Sequence, residues 1–259
     1  MVVVGVLSGK GGVGKTTIST NLAVALSKFY HRKVLVLDCN PGSSHISLHF
    51  GIPNNGNNFM KLFEKKTRPE SLVTKHIETG VDIISAPTHF NEVVLKNLKK
   101  LKKVIYSLAF SSYDFLILDG PPGFWEDVKS VIRASDKILI VTTPHKTSVE
   151  DARKIISLAK KMKKKHIFVL INRVKRKKYE LDYWEIRKML NVPIIGVIPE
   201  DSKLEESVNL GSPAVLRHPN SLVSIVFRKV ASVLVNEFYD FNWKERIKLK
   251  FAGLDKYFY

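Results

Sequence analysis

The chain has 259 residues, of which 44% are hydrophobic and 25% charged, a composition that is typical of a globular protein and excludes a disordered or collagen-like chain. Its formal net charge of +18 at pH 7 fits either contact with phosphate-bearing partners or a lysine-rich surface of the thermophile type. The only cysteine, Cys39, excludes an internal disulfide, and no apolar run approaches the roughly 20 residues of a membrane-spanning helix.

Short β-branched runs alternate along the chain with longer segments of helical period, which is typical of parallel strands joined by crossover helices. Strands are predicted at residues 2–7, 33–37, 81–85, 115–118, 137–141, 166–171 and 194–198. The pattern predicts an α/β fold: a doubly wound, mostly parallel sheet with helices on both faces and ligands at the carboxyl ends of the strands. Residues 41–58, rich in Gly, Ser, Asn and Pro, are predicted as loop with short helical pieces, where a switch would lie.

A glycine-rich loop follows the first predicted strand and precedes a helix predicted over residues 16–29. Residues 9–16 read GKGGVGKT, which matches the phosphate-loop pattern G-x-x-x-x-G-K-[ST] in its strand–loop–helix context. Lys15 is expected on the β and γ phosphates, the Thr16 hydroxyl on Mg²⁺ and Thr17 on the α phosphate. The predicted phosphate site comprises Gly9, Lys10, Gly11, Gly12, Val13, Gly14, Lys15, Thr16 and Thr17.

The same loop carries a second lysine, Lys10. The run KGGVGKTT at residues 10–17 resembles the deviant phosphate loop of the MinD/ParA ATPases, and the resemblance covers roughly residues 1–236, closer to the MinD type. It implies a SIMIBI-type P-loop NTPase fold, bound ATP and Mg²⁺, and an ATP-dependent homodimer in which Lys10 reaches the other subunit's nucleotide. A second ammonium there would offset charge on the transferred phosphoryl group. Without the resemblance, Lys10 could equally be a solvent-facing loop lysine.

Two apolar runs end in a carboxylate, at Asp38 and at Asp119. In a P-loop fold, acids at strand ends hold Mg²⁺ or its waters; Asp119 fits the Walker B role, and Asp38 resembles the acid that follows the second strand of MinD-like proteins. For both, a helix or turn cap is the alternative. The GPPG segment after Asp119 resembles the family's second switch, which implies that the backbone amide near Gly123 senses the γ phosphate.

Asn40 stands where the resemblance implies a second aspartate that positions the attacking water. A side-chain amide orients water but cannot accept its proton, and phosphoryl transfer depends more on positioning than on a strong base. The sequence therefore predicts slow ATP hydrolysis, with Lys10, Lys15, Asp38, Asn40 and Asp119 as the catalytic set. The alternatives are a non-hydrolysing, ATP-sensing scaffold and an Asn40 that only stabilises the following turn.

The predicted adenine pocket lies after two later strands. Asn172 ends one strand at the position that resembles the family's adenine-reading residue, with Arg173 beside it, and its carboxamide can pair with both a ring nitrogen and the exocyclic amine. The run Pro199, Glu200 and Asp201 resembles the second wall of that pocket. Asn and Pro also end strands for structural reasons alone.

Residues 1–239 are predicted as the ATPase domain and residues 240–259 as an amphipathic tail. At 100° per residue a helix would place five apolar residues on one stripe: Trp243, Ile247, Phe251, Leu254 and Phe258. Its excess of basic residues suits an anionic membrane surface, as the MinD resemblance also implies. Packing on the body is the alternative, since Gly253 weakens the helix and Leu249 falls off the stripe.

The leading functional prediction is a MinD-like ATP-dependent dimeric switch in spatial positioning, for example of a division site. We expect a cytoplasmic protein, at the inner face of the cell membrane if the tail binds lipid, with a protein activator among its candidate partners. The alternative is a ParA-like partition ATPase whose basic clusters at residues 160–165 and 173–178 bind DNA without sequence preference. Metal-cluster carriers need paired cysteines, so the single Cys39 argues against that class.

Overall fold

Eight strands form one sheet in the computed structural model, which describes residues 1–40, 45–53, 58–64, 67–87, 97–107 and 112–257. The strands are β1 (Val2–Ser8), β2 (Val34–Asp38), β3 (Thr74–His76), β4 (Val81–Ile84), β5 (Phe115–Pro122), β6 (Lys137–Thr142), β7 (His166–Val174) and β8 (Ile194–Pro199). Their order is β3-β4-β2-β5-β1-β6-β7-β8. Every pairing is parallel except that of β3 with β4, which confirms the predicted fold class.

Helices cover both faces of the sheet. They are α1 (Lys15–Tyr30), α2 (Ile46–His49), α3 (Leu101–Ser107), α4 (Glu126–Ala134), α5 (Lys146–Lys161), α6 (Tyr183–Leu190), α7 (Ser202–Asn209), α8 (Ala214–Arg217), α9 (Leu222–Val235) and α10 (Trp243–Phe251). Apolar side chains of α1 and α9 pack in one core layer, and those of α3 to α6 pack in the other. Because both faces are covered, the central strands are continuous apolar runs rather than alternating ones.

The sheet differs from the predicted strands at two places. Strand β5 runs on through Asp119 to Pro122, and β7 continues to Val174, so parts of the predicted switch and adenine segments are strand ends. The short antiparallel strand β3 is absent from the prediction. It forms a hairpin with β4 across a turn in which Gly80 has φ +70°, and three residues are too few to show a period of two.

The prediction of a single amphipathic helix reaching Phe258 is wrong for the described part of the tail. Helix α10 ends at Phe251, and Gly253 follows with φ +53°, a left-handed conformation that stops a helix. Leu254 is 1% exposed, so it does not belong to an exposed apolar stripe. Phe258 lies outside the described residues.

The predicted loop at residues 41–58 contains the short helix α2 in its described part, and residues 41–44 and 54–57 lie outside it. Within the described ranges, no helix combines the length and the apolar character needed to cross a bilayer.

Candidate functional site

The phosphate loop joins β1 to α1 at the carboxyl edge of the sheet. Gly12 and Gly14 have φ values of +75° and +93°, conformations that β-carbon-bearing residues adopt only with strain. A Cβ at Gly14 would also lie 2.5 Å from Nδ2 of Asn172. Gly14 is the N-cap of α1 and offers no side chain to its first-turn amides, so these donors remain for an anion.

The two lysines of the loop differ in their surroundings. Lys15 is 8% exposed; burial lowers its pKa, and the charge of Asp119 partly opposes that shift. The side chain of Lys10 is exposed, while its carbonyl accepts a hydrogen bond of 2.7 Å from the Ser8 hydroxyl. The peptide of Lys10 is thus fixed, and its ammonium points away from the core toward solvent.

Asp119 lies beneath the start of α1, 1% exposed. The hydroxyl of Thr16 donates to its Oδ2 at 2.7 Å and that of Ser19 to its Oδ1 at 2.8 Å. Burial raises the pKa of Asp119, while these hydroxyls and Lys15 lower it. Because Thr16 donates its proton to Asp119, its oxygen lone pairs remain available for a cation. Sequence reasoning missed Ser19, although its position one helical turn after Thr16 was a signal.

Asp38 ends β2 directly beside Asp119, since the two residues are register partners in adjacent strands. Its Oδ1 accepts the backbone N–H of Asn40 at 3.0 Å, a local bond made by the side chain of Asp38. This bond uses only the backbone of Asn40, so its carboxamide is not consumed by it. Pro41 and Gly42, which form the turn that the alternative role of Asn40 concerns, lie outside the described residues, so that role stays a prediction.

Gly123 follows β5 with φ +101° and lies near Ser8 at the start of the phosphate loop. Its amide, the expected γ-phosphate sensor, donates instead to the Ser8 carbonyl at 3.0 Å. A contact between this amide and a phosphate would therefore require that hydrogen bond to open.

A cavity of about 420 Å³ brings together the residues predicted for the adenine pocket. Asn172 donates from Nδ2 to the Val13 carbonyl at 2.8 Å, and its Oδ1 is buried without a hydrogen-bond partner among the described residues. A buried acceptor of this kind calls for a donor, and an exocyclic amine such as that of adenine is a donor of the right kind. The cavity is lined by Gly14, Thr17, Asn172, Arg173, Pro199, Glu200, Asp201, Leu204, Glu205, Val208 and Asn209.

A smaller cavity of about 230 Å³ adjoins Lys10. Thr143, His145 and Lys175 line it together with Lys10 and other loop residues. Sequence reasoning missed these three, and it also missed the residues that α7 adds to the larger cavity. None of them belongs to a local motif, and it is the order of the strands in the sheet that brings them next to the phosphate loop.

The donor set fits a magnesium ion held together with phosphate. In the described ranges, no cluster of three or more His, Cys, Asp or Glu residues could hold a metal alone. Thr16, Asp38 and Asp119 offer oxygen atoms at one edge of the sheet, and Mg²⁺ prefers such a site when water and substrate phosphates complete its shell. The residues present therefore suit MgATP better than a free cation.

The sequence profile of the ParA family, described as the NUBPL iron-transfer P-loop NTPase family, matches residues 1–235. The chain belongs to the MinD/ParA family. Membership implies ATP hydrolysis in general, with nucleotide and Mg²⁺ use. The chain carries a single cysteine, the buried Cys39, whereas protein-bound iron–sulfur clusters are held by several thiolates.

Similar proteins of the MinD/ParA family resemble the chain over nearly its full length. An uncharacterized ATP-binding protein of Methanocaldococcus jannaschii is 32% identical over 95% of this chain and 92% of that protein. The cell division ATPase MinD of Pyrococcus furiosus is 30% identical with a TM-score of 0.82, over 91% of this chain and 98% of that one. The septum site-determining protein MinD of Pyrococcus horikoshii, solved with Mg-ADP, is 29% identical with a TM-score of 0.81, over 90% and 95%.

Proposed function

We propose that this protein is an ATP-dependent dimeric switch of the MinD type, in which MgATP joins two copies and hydrolysis separates them. The observation that carries the proposal is the contrast between two lysines of one loop. Lys15 is buried beside Asp119, where it reaches its own nucleotide, whereas Lys10 is exposed on a fixed peptide, where it can reach a partner's.

The proposed reaction is attack of water on the γ phosphorus of ATP, with cleavage of the bond to the β-phosphate oxygen. Thr16, with Asp38 and Asp119 nearby, would hold Mg²⁺, which would neutralise negative charge on the phosphates. Lys15 adds a fixed positive charge, and the Asn40 carboxamide orients the water. Since an amide accepts no proton, the proton leaves to phosphate or solvent, and turnover is slow.

Substitution of the two lysines tests the dimeric switch. We expect Lys15→Ala to abolish nucleotide binding in calorimetric titration. We expect Lys10→Ala to bind ATP within about threefold of the native affinity yet to remain monomeric in light scattering with MgATP, since its side chain is exposed. Dimers of Lys10→Ala that form as readily as native ones would contradict the cross-subunit role.

We further propose that residues 240–259 bring the ATP-bound dimer from the cytoplasm to an anionic membrane surface, in a positioning process such as division-site selection. The tail packs on the body through Leu249 and Leu254, which are 0% and 1% exposed. Its other face presents Trp243, Ile247 and Phe251, which are 67%, 44% and 90% exposed. Exposed Lys244, Lys248 and Lys250 flank these apolar groups, a combination that favours binding at a lipid interface.

Co-sedimentation with phosphatidylglycerol-containing vesicles tests this part. We expect pelleting in MgATP and little in MgADP, and about tenfold weaker binding for Phe251→Ser, since a phenyl group is withdrawn from lipid. Phe238→Ser is the matched control, because both phenylalanines are 90% exposed and only Phe251 lies on the stripe. Truncation would be a poor test, since it also removes Leu249 from the core. Equal loss in both variants would argue against a specific role of the tail.

A second candidate function is DNA binding of the partition type. It is favoured by the basic patch along the second half of α5, where Arg153, Lys154 and Lys161 line a shallow cavity. Two of these cations already pair within the helix, Arg153 with Glu150 and Lys154 with Asp151, which weakens the patch as an anion site. Duplex DNA binding that falls steeply between 50 and 200 mM salt, without vesicle binding, would favour this function.

A further inference from the structure

A second group of exposed aromatic and basic side chains extends from His145, at the cavity beside Lys10, toward the tail. Within residues 173–188 the chain carries seven basic and three acidic residues. Tyr179 and Trp184 are 69% and 60% exposed. We define the basic–aromatic surface as the following residues: Arg176, Lys177, Lys178, Tyr179, Trp184, Arg187 and Lys188.

The acidic residues of this region are engaged within the chain. The Glu180 carboxylate accepts the backbone N–H groups of Lys175, Arg176 and Lys177 at 2.7 to 3.3 Å. Asp182 and Glu185 form the capping box of α6. The carboxylates thus hold the backbone in place, while the basic side chains at residues 175–178 are exposed. The surface is therefore rigid and presents mainly positive charge.

Aromatic packing and a backbone bond fix the orientation of the surface. The Tyr179 ring stacks on His145 with centroids 6.2 Å apart, and the Arg187 guanidinium lies 5.5 Å from the centroid of Trp184. The N–H of Leu181 donates to the Pro144 carbonyl at 2.9 Å. Aromatic rings that are both fixed and exposed bury apolar area in a partner at little entropic cost.

The surface is continuous with the tail. Tyr183, next to Trp184, stacks on Tyr257 with centroids 4.9 Å apart. A Cβ at Gly253 would lie 2.7 Å from Nη1 of Arg176, and the exposed Phe251 is two residues away, which limits their separation to about 7 Å. The end of the tail that carries Phe251 therefore adjoins the basic–aromatic surface.

We infer that the basic–aromatic surface is a second contact with an anionic lipid bilayer, engaged together with the tail stripe. Trp and Tyr side chains are suited to the headgroup level of a bilayer, and lysine and arginine attract its anionic lipids. Duplex DNA would use the same cations but offers no apolar phase to the exposed Phe251 near them. The inference rests on the membrane part of the proposed function.

The three tryptophans of the chain allow a direct test in the full-length protein. Three variants keep Trp125, Trp184 or Trp243 alone, with Phe at the other two positions, and fluorescence is read in MgATP with anionic vesicles that carry brominated acyl chains. We expect quenching of Trp184 and of Trp243. Trp125, 77% exposed and beside Gly123 at the phosphate end, should keep its emission and is the matched control.

Each outcome separates the inference from the function on which it rests. Quenching of Trp243 alone would overturn the second contact and leave the tail's role intact. Quenching of neither would overturn both. Equal quenching of all three would indicate collision without orientation and would also overturn the inference.

A charge-matched pair of variants adds a second readout. Lys177→Gln with Lys178→Gln should weaken vesicle binding on the order of tenfold or more. Lys160→Gln with Lys161→Gln, equally exposed at the far end of α5, should change it less than twofold. Equal effects of the two pairs would mean that vesicle binding depends only on the net charge of the protein, and would overturn the inference. The inference would also be overturned if the first pair of substitutions abolished duplex DNA binding and left vesicle binding unchanged.

Discussion

Asp119 shows how a buried charge is prepared for a cation at the scale of one residue. Its burial raises its pKa, and the Thr16 and Ser19 hydroxyls hold the ionised form in place. Each hydroxyl donates its single proton to the carboxylate, so neither can turn its oxygen toward the acid. A cation next to Thr16 would remove the cost of the charge, so the acid is unfavourable in the empty loop and favourable beside a metal.

We expect Asp119→Asn to separate stability from magnesium binding. The pKa of Asp119 in the folded chain is raised above the ordinary 3.8, so the unfolded chain binds fewer protons than the folded one. Stability is therefore lost as the pH rises from 3.8 through the folded pKa. Urea unfolding at pH 7 without nucleotide should therefore show a variant of nearly native stability, because the relief of the buried acid is offset by the loss of the countercharge of Lys15. The gain in ATP affinity from Mg²⁺ should fall about 10- to 100-fold. A destabilised variant that keeps the Mg²⁺ effect would contradict this view.

We expect Asn40→Asp to raise the steady-state rate of ATP hydrolysis on the order of tenfold or more, because a carboxylate accepts the proton of the attacking water. The backbone bond from residue 40 to Asp38 does not depend on the side chain and should persist. The measurement is phosphate release, and the rate measured for Lys15→Ala is subtracted as background. A native rate equal to that of buffer would favour the ATP-sensing scaffold, and an unchanged rate in the variant would favour a purely structural Asn40.

At the scale of elements, helix α10 is held to the body by a buried ion pair. Arg228 of α9 contacts Glu245 at 2.7 Å, with side chains 15% and 9% exposed. The Tyr239 hydroxyl donates to the same carboxylate oxygen at 2.8 Å, and Arg228 lies 4.9 Å from the Phe29 ring centroid. Glu245 also completes the capping box of the helix. One carboxylate thus serves the start of α10 and its docking on α9.

We expect Glu245→Ala to raise the exchange rate of the amides in α10, with a cost of about 3 kcal/mol or more in the free energy of local opening, because it leaves Arg228 buried without its countercharge. Arg246→Ala is the matched control. Its pair with Asp240 is 48% and 69% exposed, and such a pair contributes about 1 kcal/mol or less. Hydrogen exchange read by mass spectrometry measures both, and equal protection would argue against the buried pair as the anchor.

The elements that could be predicted are those specified by residues close together in the sequence. The glycines and lysines of residues 9–17 could be predicted because the strand, the loop and the helix succeed one another in the sequence, and Asp119 because it directly follows an apolar run. Which face of α10 packs could not, since a helical period identifies an apolar stripe but not its partner. Leu249 packs inward, and Trp243 points out. The bond from Gly123 to Ser8 joins residues far apart in sequence, and the three residues of β3 are too few to show a strand period.

At the scale of the whole molecule, His49 makes the fold sensitive to acid. Burial, with a contribution from His45, lowers the pKa of His49 to about 4, whereas an unfolded histidine titrates near its ordinary 6.5. The unfolded chain therefore binds a proton that the folded chain excludes between these values. Stability is full above about pH 6.5 and is lost as the pH falls toward 4.

We expect the native chain to lose about 2 kcal/mol more of its unfolding free energy between pH 7 and pH 5 than His49→Gln does. The comparison uses urea unfolding of both chains at both pH values, so the other titrating groups cancel in the difference. An identical loss in the two chains would mean that His49 is protonated in the fold.

The loop between β7 and α6 has a thermodynamic consequence beyond its shape. At one end Arg173 and Lys175 line the cavity beside Lys10, and at the other Arg176 touches Gly253 of the tail. If two arrangements of this loop differ in their affinity for nucleotide and for lipid, the factor by which ATP tightens lipid binding must equal the factor by which lipid tightens ATP binding. The bilayer would then be an effector as well as a destination, holding ATP on the molecules that reach it.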